Sequence, residues 1–410
     1  MWRALVVVAG LAVATSGDAR AGEPDRHDVS FSGFGTLAVS RANEDRADFT
    51  SSLLKYSGAG GSRRWSGDVD SRLGGQVTWH ATPQLTAVVQ MIAEQRFDNS
   101  YTPIVEWANL KYQVTPDFSI RAGRIALPTF LAADYRKVSF ALPWVRTPVE
   151  TYGVVPITNS DGIDATYRWH GNGIKNTIQA AFGRTKVKIK GGGIVRIDDL
   201  HGLSDYIEVG HASMRLTWLQ ADIDIDRTRP LFDAFRAFGA PGEDIARRYD
   251  ATHKKAEFLA AGVSYDPGAW FVTAEYGRID THSFLGRQHS WYAGAGIRHG
   301  SLTPYLLRSH IASRSNLHDP GLPVAALPPP WQPAARELNA GLASLLHSQV
   351  VQDSTTIGLR WDVLPTAALK IQYDRLRPRP PTAGSLINVR PGYQPGRPVS
   401  VLTLAFDFVF

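Results

Sequence analysis

The sequence predicts an all-β protein, a sixteen-stranded antiparallel barrel that spans a membrane, and three observations lead to this fold class. Apolar and polar residues alternate with a period of two along most of the chain. Short turn signals alternate strictly with longer polar or Pro/Gly-rich connections. No segment beyond the N-terminus has the ~18 consecutive apolar residues that a membrane-spanning helix needs. Together these features are typical of a barrel with short turns on one side and long loops on the other.

The N-terminus carries the features of an export signal. Arg3 forms a small basic region, residues 4–14 form an apolar stretch, and Ala19-Arg20-Ala21 matches the A-x-A pattern that precedes a signal-peptidase cut. The apolar stretch is too short to cross a bilayer as a helix. We therefore predict a signal peptide at residues 1–21 and a single barrel domain at residues 22–410.

The alternation is clearest in the last strand, where one face carries only apolar side chains. These are Leu402, Leu404, Phe406, Phe408 and Phe410. The opposite face carries Thr403, Ala405, Asp407 and Val409. Such a strand has one apolar and one polar face. A soluble β-sandwich would show the same alternation, so the spacing of the connections decides between the two.

Seven short turns alternate with eight longer connections, which makes sixteen strands with both termini on the short-turn, periplasmic side. The turns lie at 81–84, 115–117, 170–173, 209–212, 266–268, 299–301 and 364–366. The long, extracellular connections lie near 42–67, 97–102, 125–161, 186–202, 227–254, 281–288, 313–352 and 378–398. The predicted strands are 28–41, 70–80, 85–96, 103–114, 118–125, 162–170, 174–185, 203–209, 212–226, 255–265, 269–280, 289–299, 302–312, 353–363, 367–377 and 399–410.

The chain resembles a Gram-negative outer-membrane porin over essentially all of residues 22–410. The resemblance rests on the opening strand around 29–35, the alternating strands and the terminal strand. The segment 120–128 is similar to the strand-to-loop segment of phosphate-selective porins. The aromatic residues Phe406, Phe408 and Phe410 resemble the signal that the barrel-assembly machinery reads. The resemblance further implies contact with outer-membrane lipid and lipopolysaccharide, and assembly as a homotrimer.

The side chains opposite the apolar face of each strand are predicted to line the interior. The basic members of this inward set are Arg72, Arg96, Lys111, Arg121, Arg168, Arg215, Arg298, Arg308, Arg360 and Lys370. The acidic members are Glu94, Asp164, Glu275, Asp362 and Asp374. An excess of bases in a pore favours anions. The alternative is that these side chains pair across strands and only solvate the interior.

The connection 125–161 is too rich in aromatic residues for a loop in open solvent, and loops of this length are usually functional. In sixteen-stranded porins the third loop folds inward, so the resemblance predicts a constriction here. Around it we place Arg124, Arg136, Lys137 and Arg146 opposite Asp134 and Glu150. The alternative is a loop packed over the barrel mouth. In the connection 227–254, the spacing of Leu231, Phe232, Phe235 and Phe238 is near-helical and predicts short helices.

Composition and motifs exclude several classes of function. The chain has no Cys, which removes thiol catalysis and Cys-ligated metals. Its net charge of +6 contains no Lys/Arg block of the kind that binds nucleic acid. No H-E-x-x-H, G-x-S-x-G or P-loop pattern occurs, so no cofactor or metal is predicted.

The sequence therefore predicts a non-enzymatic outer-membrane channel for small hydrophilic solutes, with a mild preference for anions. Two alternatives stay open within the barrel class: a barrel enzyme such as a lipid hydrolase, and a channel specific for phosphate or another anion. A soluble secreted β-protein is a third, which would leave the aromatic residues at the strand ends unexplained.

Overall fold

The computed structural model describes residues 28–410, so the predicted signal peptide lies outside the described residues. Long antiparallel strands dominate this part of the chain. In chain order they are β1 Asp28–Ala42, β2 Arg72–His80, β3 Leu85–Glu94, β4 Ile104–Gln113, β5 Phe118–Ala126, β6 Asn159–Gly171, β7 Ile174–Lys188, β8 Ile194–Val209, β9 Ala212–Ile225, β10 Lys254–Tyr265, β11 Trp270–Asp280, β12 Arg287–Ile297, β13 Leu302–Ser313, β14 Gln352–Leu364, β15 Ala367–Pro378 and β16 Val399–Val409.

Each strand pairs antiparallel with the next one in sequence, and β1 also pairs with β16. The closing ladder runs from Phe34 opposite Val409 to Ala42 opposite Val401. The sheet is therefore a closed barrel of sixteen strands, which confirms the predicted fold class and strand count. Closure pairs the backbone groups that an open sheet would leave exposed at its two edges.

One predicted connection is wrong. The segment 186–202 was expected to be a long loop, but β7 runs to Lys188 and β8 begins at Ile194. Only residues 189–193 connect the two strands. A break in register between Asp198 and His201 interrupts the β8–β9 ladder here. The outward positions at these strand ends carry Lys186, Lys188 and Arg196, so the apolar outer face that identifies a lipid-embedded strand is missing from the sequence.

The longer connections, which the sequence places on the extracellular side, are the loops L1 to L8 in chain order. Their ranges are 43–71, 95–103, 127–158, 189–193, 226–253, 281–286, 314–351 and 379–398. The α-helices are α1 Val149–Tyr152 in L3, α2 Arg229–Arg236 and α3 Ala240–Tyr249 in L5, and α4 Gln332–Leu346 in L7. Single 3₁₀ turns occupy Ser139–Ala141, Asp226–Thr228, Val324–Ala326 and Pro329–Trp331. L1 contains the two-residue strands Asp48–Phe49, Ala59–Gly60 and Trp65–Ser66.

The helices of L5 and L7 form a cap with an apolar core of its own. Phe232 and Phe235 of α2 are fully buried, together with Leu342 and Leu346 of α4 and with Phe284 of L6. The predicted helical spacing in L5 is therefore confirmed, and its apolar residues pack the loops against each other. Among residues 28–410, no helix is long and apolar enough to cross a bilayer.

Aromatic rings cover two glycines at the seam where the barrel closes. The Phe408 ring lies over Gly35 and the Phe410 ring lies over Gly33, so closely that a Cβ at either glycine would overlap the ring. The rings of Phe406, Phe408 and Phe410 follow one another with centroids 5.8 and 6.3 Å apart. The Gly33 amide donates to the Phe410 carbonyl at 2.8 Å. The terminal strand therefore contributes side-chain packing as well as a ladder to closure.

This seam generates a prediction about assembly. Deleting Phe410, or replacing Phe408 by Ala, should reduce the amount of folded, heat-modifiable barrel in the outer membrane. Each aromatic contact contributes about 1 kcal/mol beyond its buried area. The control is Leu402→Ala, on the same face of β16 but away from the covered glycines. Equal folded amounts of all variants across expression levels would contradict this role of the seam.

Candidate functional site

The two faces of the barrel wall differ in the way that a membrane-spanning barrel requires. Large apolar side chains are exposed on the outside, including Trp79, Tyr112, Tyr167, Trp169, Trp270 and Trp361. Inward positions carry buried polar and charged residues, including Glu275, Arg360, Lys370, Asp374 and Asp407. An exposed apolar band of this size is unfavourable in water and favourable in lipid. The polar and charged side chains of the wall therefore face the interior of the barrel, which is the candidate functional site.

L3 folds into the barrel and packs on its inner wall. Its Trp144 lies 6.1 Å from Tyr292 of β12 and 6.4 Å from Tyr305 of β13, measured between ring centroids. Its Phe130 lies 5.3 Å from Phe258 of β10. A second apolar cluster joins L3 to Phe34 of β1 and to residues of β3, β15 and β16. These contacts place the aromatic side chains of L3 against inward-facing residues of the wall.

A buried carboxylate holds the first half of L3. Glu275 of β11 accepts a hydrogen bond from the backbone N–H of Leu131 at 2.7 Å. It also accepts bonds from the hydroxyls of Tyr152 at 2.6 Å and Tyr292 at 2.7 Å. These donors fill the carboxylate's acceptor positions without a cation, which fixes L3 to the wall at β11 and β12.

A buried arginine holds the second half. The guanidinium of Arg146 donates to Asp70 of L1, to Asp374 of β15 at 2.6 Å, and to the Thr403 hydroxyl of β16 at 2.6 Å. The Arg146 and Asp70 side chains are only 5% and 0% exposed. Hydrogen bonds between charged groups are shorter and stronger than neutral ones. Arg146 therefore ties L1, L3 and the barrel wall together.

The predicted acid Glu150 is also an anchor. Its carboxylate accepts hydrogen bonds from Ser309 of β13 at 2.8 Å, from Gln352 of β14 at 2.6 Å and from the Ser354 hydroxyl. Glu150 is 2% exposed. Its charge is therefore held by the wall and is shielded from the lumen.

Two inward bases of the wall bind the backbone of L3. Arg360 of β14 donates to the carbonyls of Phe140 and Leu142 at 2.6 and 2.8 Å. Lys370 of β15 donates to three L3 carbonyls and pairs with Asp407 of β16 at 2.8 Å. Both bases therefore satisfy carbonyls of L3 that would otherwise be buried without a donor.

The other L3 charges are partly accessible. Arg136 donates to the carbonyls of Val155 and Pro156 within L3. Lys137 pairs with Glu94 of β3. Asp134 lies 3.4 Å from a guanidinium nitrogen of Arg215 on β9. The structure thus places these three predicted residues at the inner wall, each with a partner.

The inner wall of β4 to β6 carries the remaining predicted bases. Arg121 of β5 forms a bidentate pair with Asp164 of β6, with contacts of 2.6 to 3.1 Å, and Gln179 of β7 donates to the same carboxylate. Lys111 faces Arg121 across the β4–β5 ladder. Lys111 and Arg168 are half-buried, and no acidic partner contacts either side chain within residues 28–410.

Two sequence assignments, those of Arg124 and Arg308, are corrected by the register. Arg124 pairs with Asp161 at 2.7 Å on the same face as the exposed Ile163 and Tyr167, so it lies on the outer wall. Arg298 lies at the turn between β12 and β13, where its guanidinium packs over the inward Phe271 ring at 4.9 Å and contacts Asp266 of the neighbouring turn at 2.6 Å.

The second correction concerns Arg308, which was assigned to the interior from the alternation of apolar and polar residues. It shares a face with the exposed Leu302 and Leu306, whereas Tyr305 and Leu307 point inward. Tyr305 and Leu307 are buried on the inner face of β13 because this face receives Trp144 of L3. The alternation therefore gave the wrong face for this strand. Arg96 lies beyond the end of β3 and packs on the ring of Phe97.

L1 contributes two groups that sequence reasoning missed. Asp70 is the carboxylate of the Arg146 pair, and only its charge two residues before β2 could have indicated it. Lys55 is 4% exposed and donates to the Asp68 carbonyl at 3.0 Å. Burial lowers the pKa of Lys55 to about 8, although the Glu94 carboxylate opposes this shift.

The described residues contain no group of three or more His, Asp or Glu side chains arranged to hold a metal ion. The interior chemistry is instead that of fixed charges and hydroxyls. Such a wall can attract, repel and hydrogen-bond a passing solute.

Comparisons with known proteins match the fold. No protein-family model and no curated protein matches this sequence. Among solved structures, the anion-selective porin from Comamonas acidovorans matches with a TM-score of 0.54 at 14% identity, over 94% of this chain and 100% of that one. The fold is that of an outer-membrane porin.

Two further porin-fold structures cover the chain as completely. The outer membrane channel DcaP of Acinetobacter baumannii gives a TM-score of 0.55 at 12% identity, over 95% of this chain and 99% of that one. The trimer form of OmpT, an outer membrane protein of Vibrio cholerae, gives 0.51 at 8% identity, over 94% and 100%. At these identities the likeness establishes the fold of this porin-like chain.

The Arg146 contacts generate a prediction about stability. Arg146→Met leaves Asp70 and Asp374 buried without a cation, which should destabilise the protein by about 3–5 kcal/mol. Hydrogen exchange of the L3 amides should rise, and the unfolding midpoint in denaturant should fall.

Arg63→Met is the matched control, because it removes a pair with Asp68 in which the arginine side chain is 59% exposed. Such a pair contributes less than about 1 kcal/mol. Equal effects of the two substitutions would show that Arg146 does not hold L3.

Proposed function

We propose that this protein is an outer-membrane channel through which small hydrophilic solutes diffuse passively, with a mild preference for anions. The observation that carries the proposal is the division of the inner wall. The apolar cluster around L3 includes residues of the wall from β8 round to β13, a second joins L3 to β15, β16, β1 and β3, and aromatic residues of L3 fill that side. The wall of β4 to β7 is left for a water-filled path.

The charges on the two sides of the interior have different roles. The charges of Arg146, Arg360 and Lys370 are balanced by carboxylates or by carbonyls of L3. They therefore add little to the electrostatic field in the water-filled path. Lys111 and Arg168 project from β4 and β6 without an acidic partner among the described residues. Unpaired bases in a narrow, low-dielectric pore raise the local concentration of anions.

The cellular setting belongs to the same proposal. Residues 1–21 direct export, Phe406, Phe408 and Phe410 serve the barrel-assembly machinery, and the finished barrel lies in outer-membrane lipid with lipopolysaccharide. A homotrimer is supported by the similarity to the trimer form of OmpT from Vibrio cholerae. An anion preference is supported by the description of the Comamonas acidovorans match as anion-selective.

A channel is favoured over a barrel hydrolase by what surrounds the best His–Asp pair. His310 Nδ1 lies 2.8 Å from Asp353, on the outer face of β13 and β14. A catalytic triad would also need a hydroxyl on the other ring nitrogen. Within residues 28–410 no serine or threonine hydroxyl hydrogen-bonds to His310, and the unpaired lumen bases have no place in that mechanism.

The two unpaired bases generate a prediction about selectivity. Lys111→Glu/Arg168→Glu should shift the reversal potential in a KCl gradient toward cation selectivity, because the variant reverses the charge of both bases. The shift should be clear near 0.1 M salt, where the Debye length is about 10 Å, and faint near 1 M.

Arg124→Gln is the matched control, because Arg124 lies on the outer wall and should leave the reversal potential unchanged. A wild-type channel that is cation-selective in dilute KCl would contradict the anion preference while leaving the channel itself intact.

The course of L3 generates a prediction about pore size. Deleting residues 130–145 removes the aromatic filling and should raise single-channel conductance in a planar bilayer. The control deletion is 394–397 in L8, where every residue is exposed. Unchanged conductance of a folded L3 deletion would disprove the constriction.

A further inference from the structure

The outer wall carries a group of charges that a lipid-facing surface does not need. Along β15 the outward positions are Leu369, Ile371 and Tyr373, and then Arg375 and Arg377. The inward positions between them are buried. The outer face of this strand therefore changes from apolar to basic toward its extracellular end.

The outer faces of the neighbouring strands β13 and β14 change from apolar to polar at the same level of the barrel wall. Arg308 of β13 lies opposite Thr355 of β14, which lies opposite Arg375 of β15. Arg379 follows the end of β15. We call Arg308, Arg375, Arg377 and Arg379 the outer arginine cluster. Directly below it, the outward residues Leu306, Ile357 and Tyr373 continue the exposed apolar band.

One aspartate holds half of this cluster. Asp353 of β14 contacts Arg379 at 2.5 Å, Arg308 at 3.7 Å and His310 at 2.8 Å. Arg308 also donates to the Thr355 hydroxyl at 2.6 Å. Asp353 is 9% exposed, so its negative charge is balanced by these partners alone.

The other half of the cluster has no anion. Arg375 and Arg377 are exposed, and neither guanidinium forms an ion pair or a hydrogen bond with any residue in 28–410. Four arginines thus surround one carboxylate. An arginine on the lipid face costs about 2–4 kcal/mol at the bilayer midplane and about 0–1 near the interface. The cluster therefore fits only at the level of the outer headgroups.

We propose that the outer arginine cluster binds the phosphate groups of an anionic lipid of the outer leaflet. The planar guanidinium matches the phosphate geometry with two parallel hydrogen bonds. Basic groups at the edge of the membrane recognise lipid headgroups through this chemistry. The acyl chains of the same molecule lie against Leu306, Ile357 and Tyr373 below the cluster. This site depends on the position of the barrel in the membrane and not on conduction.

The test is a titration of the purified, folded full-length barrel in detergent with lipid A that carries two phosphates. The dissociation constant is measured by native mass spectrometry. The variant Arg375→Gln/Arg377→Gln removes the two unpaired guanidinium groups and should bind about tenfold more weakly or worse, since each lost bond is to a charged group. Lipid A without phosphates should bind wild-type protein as weakly as the variant binds the intact lipid.

The matched control is Arg390→Gln/Arg397→Gln, which removes two exposed arginines from L8, away from the apolar band. It should bind lipid A like wild type. The single variant Arg377→Gln is measured in parallel, so a folding defect of the double variant leaves the test intact. Single-channel conductance should stay unchanged in all three variants.

Three results would overturn the proposal. The cluster variant could bind lipid A with wild-type affinity, or the L8 control could lose as much affinity as the cluster variant. The variant could instead lose self-association while lipid binding persists, which would identify a second copy of the chain as the occupant.

Discussion

The pairing of β1 with β16 is the constraint on which the rest of the molecule depends. In hydrocarbon no water is present to satisfy a free strand edge, so the sheet must close before any spanning strand is stable. The ladder from Phe34–Val409 to Ala42–Val401 provides this closure, and the rings over Gly33 and Gly35 pack it from outside. A closed wall then creates an enclosed interior, into which L3 can fold.

The interior combines two kinds of contact with opposite requirements. Aromatic side chains of L3 need an apolar wall, which β10 to β13 supply with Phe258, Phe271, Tyr292 and Tyr305. The polar groups of the buried loop need partners of their own. Arg146 and Glu150 of L3 bind partners in the wall and in L1, and Glu275 of the wall accepts hydrogen bonds from L3. Because both kinds of contact lie on one side of the barrel, the opposite side keeps solvated charges. The asymmetry of the packing is therefore the origin of the proposed selectivity.

The strand count and nearly all strand ends follow from the sequence, because lipid outside and water inside impose alternation on every spanning strand. The prediction fails where this cause is absent. The ends of β7 and β8 carry charged residues on their outer face and were taken for a loop. Arg308 was placed inward since nothing local shows that Trp144 makes the inner face of β13 apolar. The partners of Arg146 come from L1, β15 and β16, and only the closed barrel brings them together.

The cap of L5, L6 and L7 has a consequence for recognition from outside the cell. Phe232, Phe235, Phe284, Leu342 and Leu346 share one core, so these three loops present a single composite surface. A linear peptide copied from α2 or α4 has no such core and does not keep the native shape. An antibody or phage tail fibre that binds this face contacts residues more than a hundred positions apart in the chain. A substitution of a buried residue in the cap core changes the shape of the epitope, although that residue is not part of the contact surface.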